Sequence, residues 1–252
     1  MLIFVRKVLR VLGRLLLLAL VLAFLAAALF YFLCWQGYFL LPQEAAPRQW
    51  EVFGVDVSVY QGEVDWPALA AQGVDFAFLK APEGSSLQDA RFAANWAGAQ
   101  AAGVRVGAYH FFSYDSPGET QADNFIDMVP VTPGALPPVV DIEFYGDNLE
   151  NPPDQAHVHS ILAPLLARLE EHYGVKPILY VTYRSYDLYL REGYEDHPLW
   201  VSSPMVAPFG KDWSFWQYSH SAELEGYFGD ERHIDLNVFR GSEEEFRRFG
   251  LA

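Results

Sequence analysis

From residue 50 onward, the chain alternates short runs of β-branched and aromatic residues with helical patterns. Such alternation is typical of α/β domains with a largely parallel sheet. Strands are predicted at residues 53–57, 75–81, 104–112, 138–144, 177–182, 199–203, 215–219 and 234–239. Helices are predicted at residues 64–72, 87–102, 116–128 and 154–173, whereas the connections around 204–214 and 220–232 are too irregular for full helices. Eight strands in a domain of this length predict a compact, irregular, TIM-barrel-like (β/α) barrel.

Polar and aromatic side chains collect at the ends of these predicted strands. In (β/α) barrels the active site lies at the C-terminal ends of the strands. The residues found there are Asp56, Lys80, Glu83, Tyr109, His110, Asp141, Glu143, Tyr180, Tyr183, Trp200, Gln217 and Asp235. Because chance would scatter such residues along the strands, their collection at one end predicts a catalytic cleft.

The fourth predicted strand carries two carboxylates, within the segment LPPVVDIEFY at residues 136–145. Residues two apart in a strand point to the same face, so Asp141 and Glu143 are predicted to share one side. Adjacent buried carboxylates repel each other and lose solvation unless they have partners or a function. Two carboxyls with different pKa values are what glycoside hydrolysis requires. The pattern is explained equally well if the strand simply ends at the protein surface, with both carboxylates exposed to water.

Charge is distributed unevenly along the chain. The net charge of −15 includes four basic and no acidic residues in the first 35 positions, which leaves 13 basic and 32 acidic residues for the remainder. This remainder, at −19, argues against a nucleic-acid partner, because phosphate binding needs clustered Lys and Arg. The single cysteine, Cys34, lies in the apolar N-terminal stretch, so the rest of the chain has neither a disulfide nor a cysteine zinc site.

The N-terminal residues predict a membrane anchor. Residues 1–14 contain Arg6, Lys7, Arg10 and Arg14, and residues 15–35 lack charged side chains. A helix of that length spans a bilayer, and the basic flank places the N-terminus in the cytoplasm with residues 36–252 outside. Residues 36–50 are predicted to be a linker, and residues 51–252 the catalytic domain. A cleaved signal peptide with a site at residues 26–28 is the alternative, whereas a lipoprotein signal at Cys34 is disfavoured by the bulky Leu33.

The strand-end motifs together resemble those of glycoside hydrolase family 25, lysozymes that cleave the glycan of peptidoglycan. The matching segments are GVDVSVYQG (54–62), FAFLKAPEG (76–84), GAYHFF (107–112), VVDIE (139–143), LYVTY (179–183), LW (199–200), WQYS (216–219) and IDLNVF (234–239). They follow the family order and cover nearly all of residues 51–252. The resemblance implies a flattened, irregular eight-stranded α/β barrel, in agreement with the strand prediction.

The resemblance also implies an N-acetylmuramidase that cleaves the β-1,4 bond between N-acetylmuramic acid and N-acetylglucosamine. Glu143 would be the general acid, and Asp141 would either stabilise charge at the sugar or orient the substrate N-acetyl group. Asp56 and Asp235 would complete a ring of carboxylates around the scissile bond. The predicted substrate-binding residues are Tyr60, Lys80, Glu83, Tyr109, His110, Tyr180, Trp200 and Gln217. Ordinary barrel packing would explain each aromatic residue among them equally well.

The sequence departs from the family pattern in three places. Pro82 stands where threonine is usual, residues 202–204 replace the usual alanine and aromatic residue, and a predicted anchor takes the place of wall-binding repeats. Two other functions compete with the lysozyme prediction. One is a non-catalytic glycan-binding barrel; such a protein would not need four clustered carboxylates, which cost free energy to bury. The other is a chitinase-like hydrolase, but the longer run of alternating aspartates that is usual in such enzymes is absent from this sequence.

No metal or other cofactor is predicted. The seven histidines are scattered, and His110 alone lies at a strand end. A histidine in that position more often forms part of the cleft wall than binds a metal. The glycines show no phosphate-binding pattern.

Overall fold

The computed structural model describes residues 2–35, 50–204, 207–208 and 212–251 of the chain, which divides into two compact units, Met1–Leu41 and Pro42–Ala252. The described part of the first unit is one helix, α1 (Leu2–Trp35). Its stretch Leu9–Leu33 is 25 residues long and apolar enough to cross a membrane, by length and composition alone. Signal sequences meet the same criterion, so anchor and signal peptide are both compatible with this helix. The predicted linker lies outside the described residues, apart from Trp50.

Nine strands form a single sheet in the described residues of the second unit. They are β1 (Val52–Val57), β2 (Phe76–Glu83), β3 (Leu87–Gln88), β4 (Arg105–Phe111), β5 (Val139–Ile142), β6 (Ile178–Val181), β7 (Leu199–Ser202), β8 (Phe215–Ala222) and β9 (Ile234–Phe239). Because β1 pairs with both β2 and β9, eight strands close into a barrel in the order β1, β2, β4, β5, β6, β7, β8, β9. The predicted barrel of about eight strands is therefore confirmed.

Six helices accompany the barrel in the described residues. They are α2 (Trp66–Ala71), α3 (Phe92–Ala101), α4 (Gly118–Met128), α5 (Gln155–Tyr173), α6 (Tyr183–Tyr189) and α7 (Glu243–Arg248). The longest, α5, begins where the Asp154 side chain accepts the His157 N–H and ends at Gly174, whose φ of 72° suits glycine.

The structure differs from the predicted helices in two places. The helix predicted from residue 87 begins at Phe92, because Leu87 and Gln88 instead pair with Glu83 and Pro82 as a hairpin. Helix α6 was not predicted; the Thr182 and Ser185 side chains start it by a reciprocal capping box.

The last strand reverses direction. Neighbouring barrel strands from β1 through β8 are parallel, whereas β9 is antiparallel to both β8 and β1. The N-terminal end of β9 therefore lies at the same rim as the C-terminal ends of the other strands. This reversal brings Asp235, the second residue of β9, directly opposite Asp56 of β1.

The alternation of side chains along the strands separates two hydrophobic clusters. One packs the outer barrel face against the helices and includes Val55, Leu79 and Val140. The other fills the barrel and includes Phe76, Phe78, Val139, Ile178, Trp200, Phe215 and Phe239. Within it, Phe78 stacks on Trp200 with ring centroids 4.4 Å apart. The barrel interior thus has an aromatic floor, and polar groups above it lie in a medium of low polarity.

Arg105 at the start of β4 holds the opposite end of the barrel together. Its guanidinium donates hydrogen bonds to the carbonyl oxygens of Gly134 (2.7 Å) and Phe249 (2.7 Å) and also to that of Phe246. The side chain also lies over the Phe246 ring, 5.0 Å from its centroid. These contacts fasten α7 under the barrel, at the end away from the predicted site.

Candidate active site

A cleft of about 210 Å³ opens at the rim where the predicted site residues lie. It is lined by Asp56, Ser58, Tyr60, Lys80, Tyr109, Phe111, Asp141, Glu143, Tyr180, Trp200, Gln217 and Asp235. All four predicted catalytic carboxyls and six of the eight predicted substrate-binding residues are in this set. The exceptions are Glu83 and His110.

Asp56 and Asp235 form one side of the cleft with two amide side chains. Gln217 Nε2 donates to Asp56 Oδ2 and to Asp235 Oδ2, each at 2.9 Å. Asn237 Nδ2 donates to Asp56 Oδ2 at 2.8 Å. Asp56 and Asp235 also share a hydrogen bond, which lowers the pKa of Asp56 and raises that of Asp235.

Two aromatic residues fix the orientation of these amides. The Tyr180 hydroxyl donates to Gln217 Oε1 at 2.7 Å, and Trp200 Nε1 donates to Asn237 Oδ1 at 2.8 Å. Since each amide oxygen is occupied by a donor, each amide nitrogen must face the carboxyls. The aromatic wall thus positions N–H donors for Asp56.

Asp141 and Glu143 lie across the cleft on β5 and just beyond it. Asp141 is buried, at 7% exposure, and its Oδ1 atom has no hydrogen-bond partner among the described residues. Glu143 is half-buried, and its carbonyl oxygen accepts a hydrogen bond from the Tyr114 hydroxyl at 3.0 Å. The two carboxyls therefore share the cleft side of the strand, whereas Ile142 between them is fully buried in the outer cluster.

Burial raises the pKa of all four carboxyls, because desolvation disfavours their charged forms. Burial and the charge of Asp56 raise the pKa of Glu143 to about 7, although Lys80 opposes the shift. Burial raises the pKa of Asp56 to about 6 despite the two amide donors. Burial and the charge of Glu143 hold the pKa of Asp141 well above its usual range, and burial and the charge of Asp56 do the same for Asp235. The cleft therefore keeps carboxyl protons available near neutral pH.

Lys80 lies on the cleft wall and pairs with Glu83. Its Nζ atom is 2.8 Å from Glu83 Oε2 and 4.6 Å from the centroid of the Phe111 ring. Glu83 itself does not line the cleft; it lies at the end of β2, paired with Leu87 in the hairpin that includes Pro82. Glu83 is thus a neighbour of the site, through its ion pair with Lys80 and its pairing with Phe111 on β4.

His110 faces away from the cleft. It follows Tyr109 on β4, so the alternation of the strand turns it toward the helices, where it is fully buried. Its Nε2 atom is 2.8 Å from Gln121 Oε1 on α4, and burial lowers its pKa to about 4. A neutral histidine in this position has no access to a substrate in the cleft, and we leave it out of the site proposed below.

Three residues of the site were not singled out from the sequence: Ser58, Phe111 and Asn237. Each lies two residues beyond a predicted site residue on the same strand or its extension, namely Asp56, Tyr109 and Asp235. The period of two that groups Asp141 with Glu143 would have found all three. Within the described residues there is no group of three or more His, Cys, Asp or Glu that could hold a metal ion.

Comparison with known proteins places this geometry in one family. The family model for glycosyl hydrolases family 25 matches residues 55–227. A family 25 glycosyl hydrolase of Bacillus anthracis has a solved structure that is 46% identical, covering 83% of this chain and 98% of its own, with a TM-score of 0.79. Lysozyme M1 of Streptomyces globisporus is 32% identical over 210 residues, 76% of this chain and 68% of its own. The protein YegX of Escherichia coli K12 is 31% identical over 211 residues, 81% of this chain and 75% of its own.

Proposed function

Because this chain belongs to glycosyl hydrolase family 25, we propose that Glu143 and Asp141 perform its reaction, hydrolysis of peptidoglycan at N-acetylmuramic acid linkages. The chain is a glycoside hydrolase of the lysozyme type, acting on the β-1,4 bond between N-acetylmuramic acid and N-acetylglucosamine. The residue assignment rests on one observation: Glu143 has a raised pKa and lies in a cleft with three other carboxyls.

Glu143 is the proposed general acid. Glycosidic bond cleavage needs a proton on the leaving oxygen as the bond breaks. With a pKa of about 7, Glu143 is largely protonated in mildly acidic solution and still partly protonated at neutral pH, so it can donate a proton and also exist as the carboxylate that remains. It lines the cleft and is not fully buried, so a glycan oxygen bound in the cleft can reach it.

Asp141 is the proposed partner that contacts the reacting sugar. Its buried Oδ1 lacks a hydrogen-bond partner among the described residues. An unpaired buried oxygen costs free energy, and a substrate group that binds to it would offset that cost. Either an N-acetyl N–H group held by this oxygen or a positive charge developing at the sugar would satisfy it. Both roles require direct contact, so Asp141→Asn should impair turnover.

Asp56 and Asp235 are proposed to complete the site as a hydrogen-bonded pair. The amide donors from Gln217 and Asn237 stabilise negative charge on Asp56. That charge in turn raises the pKa of Glu143. We propose that the pair keeps the general acid protonated and adds a negative field that favours a cationic transition state.

The proposed site includes most of the predicted substrate-binding residues. Tyr60, Lys80, Tyr109, Tyr180, Trp200 and Gln217 line the cleft and are proposed to contact the glycan or to shape its binding site. Glu83 is proposed to act only by positioning Lys80.

The proposed location follows from the substrate and from α1. Peptidoglycan lies outside the cytoplasm, so the enzyme acts in the periplasmic or extracellular space. We propose that residues 15–35 remain attached as a single-pass anchor, with residues 1–14 cytoplasmic, residues 36–50 a linker and residues 51–252 outside. The apolar stretch Leu9–Leu33 and the basic residues at its N-terminal end support this topology.

Digestion of purified peptidoglycan tests the function. The wild-type protein should release muropeptides whose new reducing ends are N-acetylmuramic acid, and Glu143→Gln should release almost none. New reducing ends of N-acetylglucosamine would contradict the bond assignment. Cleavage of chitin oligosaccharides in preference to peptidoglycan would favour the chitinase-like alternative. Tight binding to peptidoglycan without any product would favour the non-catalytic barrel.

A further inference from the structure

Two exposed aromatic residues lie on adjoining backbone segments, one of which borders the cleft. Among the described residues outside α1, Tyr60 (65% exposed) and Phe228 (73% exposed) are the two aromatic side chains with large exposure. Tyr60 lines the cleft, and Phe228 lies in the connection from β8 to β9. Single exposed apolar residues need no explanation, but adjoining ones beside an active site point to a binding surface.

A short backbone ladder joins the segments that carry these two residues. The Phe228 N–H donates to the carbonyls of Glu63 (3.0 Å) and Gln61 (3.2 Å), and the Glu231 N–H donates to the Tyr60 carbonyl (3.1 Å). Val64 and Tyr227 form an antiparallel bridge beside them. The two aromatic residues are therefore held at a fixed spacing rather than on independent loops.

Two glycines allow the segments to approach this closely. A Cβ atom on Gly229 would lie 2.1 Å from the Tyr60 carbonyl oxygen, which no side chain could tolerate. Gly62, opposite it, has a φ of 69°, a conformation that favours glycine. Because the segments that carry the two aromatic residues are preorganised by backbone contacts, little backbone entropy is lost when a ligand binds to them.

The catalytic cleft is too small to hold a glycan strand. Its volume of about 210 Å³ is below the ~300–1,000 Å³ of pockets that enclose drug-sized ligands. Most of a polymeric substrate must therefore run along the surface beyond the cleft. Phe228 is largely exposed, and its backbone is hydrogen-bonded to the segment that directly follows the cleft residue Tyr60.

We propose that Tyr60 and Phe228 form an accessory glycan-binding platform that extends the cleft along the polysaccharide. The C–H faces of pyranose rings pack on flat aromatic side chains, and a neighbouring pair can hold successive sugars of one strand. This inference rests on the proposed peptidoglycan hydrolase function and assigns Phe228 to substrate binding outside the catalytic carboxyls.

Charge around the platform favours a glycan over a membrane surface. The exposed acids Glu63, Asp65, Asp230 and Glu231 flank Phe228 in the sequence or across the ladder. Aromatic residues that enter lipid interfaces are typically accompanied by Lys and Arg, which attract anionic headgroups. An acidic rim would repel such headgroups, whereas the ring face of a sugar is uncharged.

The test compares glycan strands of different length with the full chain in detergent. For Phe228→Ala, we expect the ratio of kcat/KM on long strands to that on a tetrasaccharide fragment to fall roughly two- to tenfold, mainly through KM. Phe228→Trp should keep the ratio and Phe228→Leu should lower it, since leucine has bulk but no flat face. Val131→Ala, an exposed apolar residue (62%) between α4 and β5 at the other end of the barrel, is the matched control and should not change the ratio.

Binding to insoluble peptidoglycan separates this inference from the catalytic proposal. In the Glu143→Gln background, addition of Phe228→Ala should reduce co-sedimentation with peptidoglycan, whether or not the wild-type protein is active. An unchanged length ratio together with unchanged co-sedimentation would overturn the platform and leave the proposed function intact. Loss of binding to anionic phospholipid vesicles, with no change on glycans, would also overturn it in favour of a membrane-contacting surface.

Discussion

Replacement of Glu143 by glutamine should stabilise the protein at alkaline pH and inactivate it at every pH. The pKa of Glu143 is raised from 4.5 to about 7, mainly by burial. Because the folded-state pKa exceeds the unfolded one, the folded state binds more protons between these values. The contribution of Glu143 to stability is therefore complete below pH 4.5 and is lost as the pH rises through about 7.

The size of the effect follows from the shift. One pKa unit corresponds to about 1.4 kcal/mol, so the rise from 4.5 to about 7 means that ionised Glu143 destabilises the fold by at most about 3.5 kcal/mol above pH 7. Because its side chain is only partly buried, screening by water reduces this to about 1–3 kcal/mol. For a domain of this size, Glu143→Gln should therefore raise the melting temperature by about 2–10 °C at pH 8 and should hardly change it at pH 4.

The assay is a thermal melt of residues 42–252 at both pH values, together with muropeptide release. This segment is one of the two compact units and contains its own cores. Loss of a general acid should lower turnover by about 10²–10⁴-fold. Glu171→Gln on the exposed surface of α5 is the matched control and should change neither property. A Glu143→Gln protein that digests peptidoglycan at near the wild-type rate, or that gains equal stability at both pH values, would refute the reasoning.

The remaining predictions concern the amide donors, the outward histidine and the anchor. Asn237→Ala removes a hydrogen-bond donor to ionised Asp56, so the pKa of Asp56 should rise. The acidic limb of the pH profile of kcat/KM should then move to higher pH by about one pH unit. An acidic limb that does not move would show that activity does not depend on ionisation of Asp56. His110→Ala should lower the melting temperature through loss of the contact with Gln121 while the shape of the pH–rate profile is kept, and a changed profile would return His110 to the site. Residues 15–35 should keep the protein in carbonate-washed membranes with an intact N-terminus, and release to the supernatant or a new terminus after Ala28 would favour the signal peptide.

The parts of the site that follow from the sequence are those governed by the period of a strand. Asp141 and Glu143 share a face because they are two residues apart, and Tyr109 lies in the cleft for the same reason that His110 does not. The prediction of both Tyr109 and His110 as site residues treated the end of β4 as a single point, although adjacent side chains face opposite ways. The same period, applied beyond Asp235, would have identified Asn237 as a neighbour of Asp56.

Other features depend on contacts between distant segments and are not visible in local patterns. The direction of β9 is set by its pairing with β1 and β8, and without it Asp235 at the start of the strand would lie at the opposite end of the barrel. Leu87 and Gln88 form a strand only because β2 extends far enough to pair with them. The ladder from Phe228 to Gln61 and Glu63 links residues more than 160 positions apart, so neither segment alone indicates it.

Burial alone does not explain how four carboxyls in one cleft come to have different proposed roles. All four lie above the same aromatic floor, and desolvation is the largest influence on the pKa of each. They differ in the hydrogen bonds they receive, since Asp56 accepts two amide donors whereas Asp141 Oδ1 accepts none from the described residues. The amide donors lower the pKa of Asp56 against the effect of burial, and the charge of Asp56 raises the pKa of Glu143 across the cleft. In this arrangement Trp200 and Tyr180 act through the amides that they orient, because the Asn237 amide donates to Asp56 and the Gln217 amide donates to both Asp56 and Asp235 on one side of the cleft.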